Sequence, residues 1–293
     1  MRRLATARSY KTGEVVMEID GRSRVIVHLA YPSAHLLTPT LFNARCLERR
    51  INAVLVPWEV APADLGAAWA GLKTARSLAG AIVTIPHKES AASHCDALEG
   101  AAADLNVANV IRRDAEGRMT GRLYDGEGFV AGLCAHGYEP LGKRTLLLGA
   151  GGAATALAQA LLTAGVSELV IANRNIDRGE ALAARLRALN PGRPIGTGPA
   201  NARGFDLVVN STSVGLDGDP ASPVDTSTIE PGCMVADIVM KPAMTPLLRG
   251  AEARGARIHQ GVHMLAAQID LFVDFLLDEG SAAAALRPSL RIA

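Results

Sequence analysis

Short apolar runs alternate with longer stretches of helical periodicity along most of the chain, and that alternation carries the first prediction about its fold. Val25 to Leu29 is a run rich in β-branched residues that stops at Tyr31-Pro32; a helical stretch from Thr40 to Glu48 follows, and Ala53 to Val56 reads as a second strand. A helix is expected over Ala63 to Leu78, leading through Gly80 to a strand from Ala81 to Ile85, which Pro86 ends because it cannot continue a ladder. Strand, helix, strand in succession predicts a mainly parallel sheet with helices on its faces. The chain turns around Gly117 and Gly121 between two short runs that can pair, Val107 to Ile111 and Met119 to Tyr124, and becomes helical from about Glu127 to His136.

The second half opens on a cleaner signal. Thr145 to Leu148 is a continuous apolar strand, followed at once by Gly149-Ala150-Gly151-Gly152-Ala153-Ala154 and a long alanine-rich helix. This is the strand, glycine turn, helix order of a dinucleotide site: Gly149 permits a tight turn, Gly151 lets the backbone approach a pyrophosphate, and Ala154 allows the helix to pack closely. Glu168 to Ala172 closes a β-α-β unit, Asp206 to Asn210 and Met234 to Ile238 read as further strands of one sheet, and Met264 to Asp278 reads as a helix returning to the first half. Where an NAD enzyme usually places an acid, at the end of the second strand, this chain has Asn173-Arg174-Asn175. Arg174 can pair with a 2′-phosphate, which favours NADP, while Asp177 leaves room for NAD.

Composition narrows the partners. Of 293 residues, 49% are apolar, enough for two cores, and 30 basic residues nearly cancel 29 acidic ones, so no global field draws the chain to nucleic acid or an anionic membrane. Cys46, Cys95, Cys134 and Cys233 are far apart with no C-x-x-C spacing, which suits reduced thiols in a cytoplasm. Arg2, Arg3, Arg8 and Lys11 are not followed by an apolar segment, so a basic tail is expected rather than a secretory signal, and no run approaches the roughly 20 apolar residues of a membrane helix. His28, His94, His136 and His259 are scattered, and His35 and His87 are not at ligand spacing, so no metal centre is expected. His87 is placed to line a pocket beside Lys88, and His263 and Met264 suit either core packing or a nicotinamide contact.

Lys88 follows a strand end, at the sheet edge where open α/β folds bind ligands, and Asp125 sits in a glycine-flanked turn before a helix. A ketone receiving hydride needs a proton donor at the developing alkoxide, a role open to Lys88. Val83-Thr84-Ile85-Pro86-His87-Lys88, Ala108-Asn109, Gly121 through Gly126, Asn173-Arg174 and Asn210-Ser211-Thr212-Ser213-Val214-Gly215 together resemble, in order and spacing, the motifs of the shikimate dehydrogenase family over nearly the whole chain. The resemblance implies an α/β fold in which residues 1–124, completed by 262–293, bind substrate and residues 125–261 form a Rossmann-type NADP domain. It implies Lys88 and Asp125 as the catalytic pair, and Thr38, Thr84, Asn109 and Gln268 as substrate contacts. Cofactor contacts are expected from Gly149, Gly151, Gly152, Ala153, Asn173, Arg174, Thr212, Ser213 and Gly261.

The implied reaction is the NADP-linked reversible reduction of 3-dehydroshikimate to shikimate, in a monomer or homodimer of the aromatic biosynthetic pathway. The family's G-x-P-x-x-H-S-x-S-P appears here as Ala30 to Pro39, with Leu36 in place of a carboxylate-binding serine and Thr38 keeping a hydroxyl. Ile82, Val110, Leu123, Tyr124 and Met240 are further departures, expected around the substrate, and they open quinate or an amino-shikimate as alternatives. A sensor that binds the nucleotide without turnover is the reading from another class, and the retained Lys88 and Asp125 argue against it. A folate-linked dehydrogenase of similar architecture would instead act on methylene-tetrahydrofolate.

Overall fold

The computed structural model describes residues 19–34 and 36–277; the basic tail around Arg2 to Lys11, His35, and the helix end at Asp278 lie outside the described residues. In the first half the strands are β1 (Arg24–Ala30), β2 (Ala53–Glu59), β3 (Leu78–Val83), β4 (Ala97–Leu98), β5 (Val110–Arg113) and β6 (Met119–Arg122). The helices between them are α1 (Thr38–Glu48), α2 (Leu65–Thr74), α3 (Lys88–His94) and α4 (Ala101–Leu105), and α5 (Asp125–Ala135) leads out. The second half continues through β7 (Arg144–Leu148), α6 (Gly152–Thr163), β8 (Glu168–Ala172), α7 (Ile176–Leu189), β9 (Ile195–Thr197), β10 (Leu207–Asn210), β11 (Met234–Asp237), α8 (Pro246–Ala253), β12 (Arg257–His259) and α9 (Gly261–Leu277).

Two six-stranded sheets result, ordered β2-β1-β3-β5-β6-β4 and β12-β11-β10-β7-β8-β9. The second is parallel throughout. The first is mainly parallel, with β5 alone running antiparallel to its neighbours β3 and β6. β3 begins earlier than the apolar run alone indicates and carries Gly80 within it. A Cβ there would run into the Ile111 carbonyl, so the glycine is where β5 approaches rather than where the strand breaks.

Two long helices hold the halves together. Phe129 and Leu133 of α5 join the core of the second sheet, with Leu147, Leu157 and Leu161. Leu265, Ile269, Phe272, Val273 and Leu276 of α9 join the core of the first, with Ile26, Phe42 and Leu55. Burial of each such side chain contributes roughly 1.5–3 kcal/mol. α9 is further tied to α1 by Arg49, whose Nη1 lies 2.6 Å from Asp274 Oδ1, and to β1 by Arg24, which donates to the Leu276 and Leu277 carbonyls at 3.1 Å.

Candidate active site

Strand direction places the expected residues along matching edges of the two sheets. Thr38 follows β1, Thr84 and Lys88 follow β3, Asp125 follows β6, and Asn109 precedes the antiparallel β5, so all five sit at one edge of the first sheet. Gly149, Asn173 with Arg174, Thr212 with Ser213, and Gly261 follow β7, β8, β10 and β12, at the carboxyl edge of the second. Ligands of open α/β sheets bind outside that edge.

Lys88 and Asp125 each open a helix and meet side chain to side chain: Lys88 Nζ donates to Asp125 Oδ2. The other carboxylate oxygen, Oδ1, accepts from Asn109 Nδ2 at 3.0 Å and Gln268 Nε2 at 3.1 Å. Asn109 Oδ1 accepts from the Tyr124 amide at 2.9 Å, and Gln268 Nε2 also reaches the Tyr124 carbonyl at 3.3 Å. Both amides are buried, so Asp125 is fixed from beneath while Lys88, 23% exposed at its side chain, is the more open partner. Thr38 is buried at the start of α1, and Thr84 is half-buried with its backbone N–H on the Leu29 carbonyl at 3.0 Å. His87 does not line a pocket: its ring is buried with Nε2 2.8 Å from the Val60 carbonyl, which steadies the turn that aims Lys88.

The edge that carries Lys88 and Asp125 is joined to the second half by glycines. A Cβ on Gly126 would strike the Ala156 carbonyl, and one on Gly128 the Gln268 side chain. Only glycine lets α5 lie this close to both α6 and α9, and the contact sets the start of α5 against Ala156 and Ala160 of α6, the helix that follows the glycine turn after β7.

That turn has the geometry of an anion cradle. Gly149 has φ +114°, a conformation disfavoured for other residues, and its position leaves no room for a side chain beside Ser211 and Thr212. Over Gly151 and Gly152 a Cβ would meet nothing within 4 Å, so the backbone at the start of α6 is open to a phosphate, where the helix dipole favours negative charge. A cleft of about 930 Å³ lies alongside, lined by Gly149, Asn173, Arg174, Thr212, Ser213 and Val214 among others. Its size and lining fit a dinucleotide. Gly151, Gly152, Ala153 and Gly261 are not part of its lining; Gly261 is buried against the Ile238 carbonyl. Thr197, Gly198, Pro199 and Ala200 do line it and escape the sequence reading, because β9 is only three residues long.

Two sequence expectations need correction. Ile82, Val110, Leu123 and Tyr124 do not surround a substrate: all are buried core residues, with Tyr124 packed on Phe272 and Phe275. Leu36, half-buried, and Met240, exposed, are the departures left beside open space. The histidines, too, are not scattered in space. His136, His259 and His263 gather where α5 ends, β12 ends and α9 begins, with ring centroids 3.7, 4.9 and 5.5 Å apart. Among the described residues no group of His, Cys, Asp or Glu has the arrangement to hold a metal. Burial and the neighbouring rings push His259 down to about 4 and lower His263 as well.

Residues 29–111 match the family model described as the shikimate dehydrogenase substrate binding domain, and residues 136–216 the model described as shikimate / quinate 5-dehydrogenase. The NADP(+) shikimate dehydrogenase of Geobacter metallireducens is 36% identical over 260 residues, covering 86% of this chain and 90% of that protein. The chain belongs to the shikimate dehydrogenase family. Within that family, the shikimate 5-dehydrogenase of Thermus thermophilus, solved with NADP(H) and shikimate, has a TM-score of 0.80 at 30% identity, covering 87% of this chain and 94% of its own. The ligand-free 5-ketofructose reductase of a Gluconobacter species is equally similar in shape, with a TM-score of 0.81 at 29% identity, covering 90% of this chain and 96% of that one.

Proposed function

We propose that this chain is an NADP-dependent dehydrogenase that reversibly reduces 3-dehydroshikimate, or a closely related cyclic hydroxy-acid ketone, to the alcohol. The observation that carries the reading is the Lys88–Asp125 pair, braced by Asn109 and Gln268 at the start of a helix packed on α6. The start of α6 would hold the pyrophosphate and the exposed Arg174 the 2′-phosphate of NADPH, which would supply the hydride when bound along the cleft. Lys88 holds the reacting oxygen and gives it a proton as the alcohol forms; in the reverse direction it takes that proton back. Asp125 accepts from a substrate hydroxyl and keeps Lys88 in place, while Asn109 and Gln268 keep Asp125 from turning. The substrate is a small molecule, and no helix among the described residues is long and apolar enough to cross a membrane. No disulfide links Cys46, Cys95, Cys134 or Cys233, which supports a cytoplasmic place of action.

Leu36 and Met240 favour a second reading, in which the ketone is a neutral polyhydroxy compound without a carboxylate. The similarity to a 5-ketofructose reductase is in keeping with it. Initial rates with shikimate, quinate, an amino-shikimate and a neutral ketose reduction product, each against NADP and NAD, separate the two. NADP-linked oxidation of shikimate at the highest kcat/KM supports the first reading, and turnover confined to the neutral polyol supports the second.

A further inference from the structure

Asp237, the last residue of β11, lies in register beside Asn210, the last residue of β10. It is 1% exposed, and all its hydrogen-bond donors are neutral groups. Oδ1 accepts from Asn210 Nδ2 and from the Val239 amide, both at 3.0 Å, and Oδ2 accepts from Thr245 Oγ1 at 2.7 Å. Burial raises its pKa, and these hydrogen bonds offset the rise only in part. Because the folded state holds the proton more tightly than the unfolded one, stability falls as pH rises from the ordinary aspartate range through the raised value. Ionising this carboxylate therefore costs stability, which directs attention to the hydrogen bonds it accepts.

Because Oδ1 also accepts from the Val239 amide, it faces Asn210 as an acceptor and turns the Asn210 amide with the NH₂ toward itself and the carbonyl toward the following turn. That carbonyl oxygen accepts from Thr212 N at 3.0 Å and Thr212 Oγ1 at 2.7 Å, while Nδ2 also reaches the Val214 carbonyl at 3.2 Å. Thr212 Oγ1 in turn accepts from the Val214 amide at 3.1 Å. Thr212, Ser213 and Val214 form one wall of the 930 Å³ cleft. Through Val239 and Thr245 the same carboxylate holds the loop carrying Met240 and Lys241, and the Asp217 amide donates to the Lys241 carbonyl at 2.9 Å, joining the two loops.

We propose that Asp237 is a positioning residue for the nucleotide: by fixing which way Asn210 faces, it sets the turn from Ser211 to Val214 against the cofactor. The inference rests on reading the cleft as the NADP site. Asp237→Leu keeps the approximate volume but removes both acceptor oxygens, so nothing holds the Asn210 NH₂ on that side. The test is NADPH affinity by fluorescence titration, with KM for NADP and for shikimate and the melting temperature measured beside it. Asp237→Leu is expected to weaken NADPH binding and raise KM for NADP by about tenfold or more, leaving KM for shikimate within about twofold. Thr245→Val, which removes the Oδ2 donor and the α8 cap but leaves the Asn210 contact, is expected to lower Tm with NADPH affinity within about twofold of wild type.

Should Asp237→Leu fail to fold, Asn210→Asp, which sets carboxylate against carboxylate in the same volume, carries the same expected loss of NADPH affinity. If either variant folds and binds NADPH within about twofold of wild type while melting earlier, as Thr245→Val does, Asp237 serves stability alone and the proposal is overturned. A wild-type protein that does not bind NADPH overturns the reading of the cleft itself, and this inference with it.

Discussion

At the scale of single residues the site works by dividing the two oxygens of one carboxylate. Oδ1 of Asp125 is taken by Asn109 and Gln268, and Oδ2 by Lys88, so the lysine ammonium is aimed by a group that cannot itself rotate. Beyond this pair, Leu36 offers no hydrogen bond where a substrate carboxylate would seek one. A hydrogen bond to a charged group contributes roughly 1.5–3 kcal/mol, about 10- to 150-fold in kcat/KM. Leu36→Ser is therefore expected to raise kcat/KM for shikimate by at least about tenfold and to leave a neutral polyol unimproved; steady-state rates on both decide it. Lys88 and Asp125 were legible in the sequence because each stands at the junction of a strand and a helix, flanked by proline or glycine. Asp237 was not, because a carboxylate closing an apolar strand looks like any turn residue until the register sets Asn210 beside it.

Among the elements, α5 is the one on which the site depends, since it begins with Asp125 and is squeezed between α6 and α9. Gly128→Ala would press a methyl group into Gln268, one of the two amides that steady Asp125. Overpacking of this kind costs roughly 1–3 kcal/mol, which lowers Tm by several degrees in a chain this size. The account expects kcat to fall beyond what partial unfolding explains, measured at a temperature where the variant is fully folded. The principal strands and the glycine turn were readable from apolar runs bounded by Gly and Pro. α7 does not stand out from the apolar pattern although Asn175 caps it and Leu182, Ala183 and Leu186 repeat at helical spacing, because Asp177, Arg178, Glu180, Arg185 and Arg187 interrupt it and its buried face is narrow. β9 and β12 are too short to show alternation, and their place comes from pairing with β8 and β11.

For the molecule as a whole, the two sheets meet through α5 and α9, and the three histidines lie at that junction. His259 and His263 are four residues apart in the sequence, but His136 comes to them only through the tertiary fold. With His259 held at about 4 against an ordinary value of 6.5, the unfolded chain takes up a proton that the folded one refuses. Stability is thus fully present above pH 6.5 and declines as pH falls toward 4. Thermal melts across that range should show the decline, and His259→Phe should flatten it; an unchanged slope in the variant would place the acid sensitivity elsewhere. The central claim concerns chemistry at the junction, and the most direct measurement is NADP-linked oxidation of shikimate by wild type and Lys88→Ala, with NADPH binding measured on both. The account predicts a loss of about 10²- to 10⁴-fold in kcat with NADPH affinity unchanged. A Lys88→Ala variant that binds NADPH and turns over shikimate at the wild-type rate would contradict it.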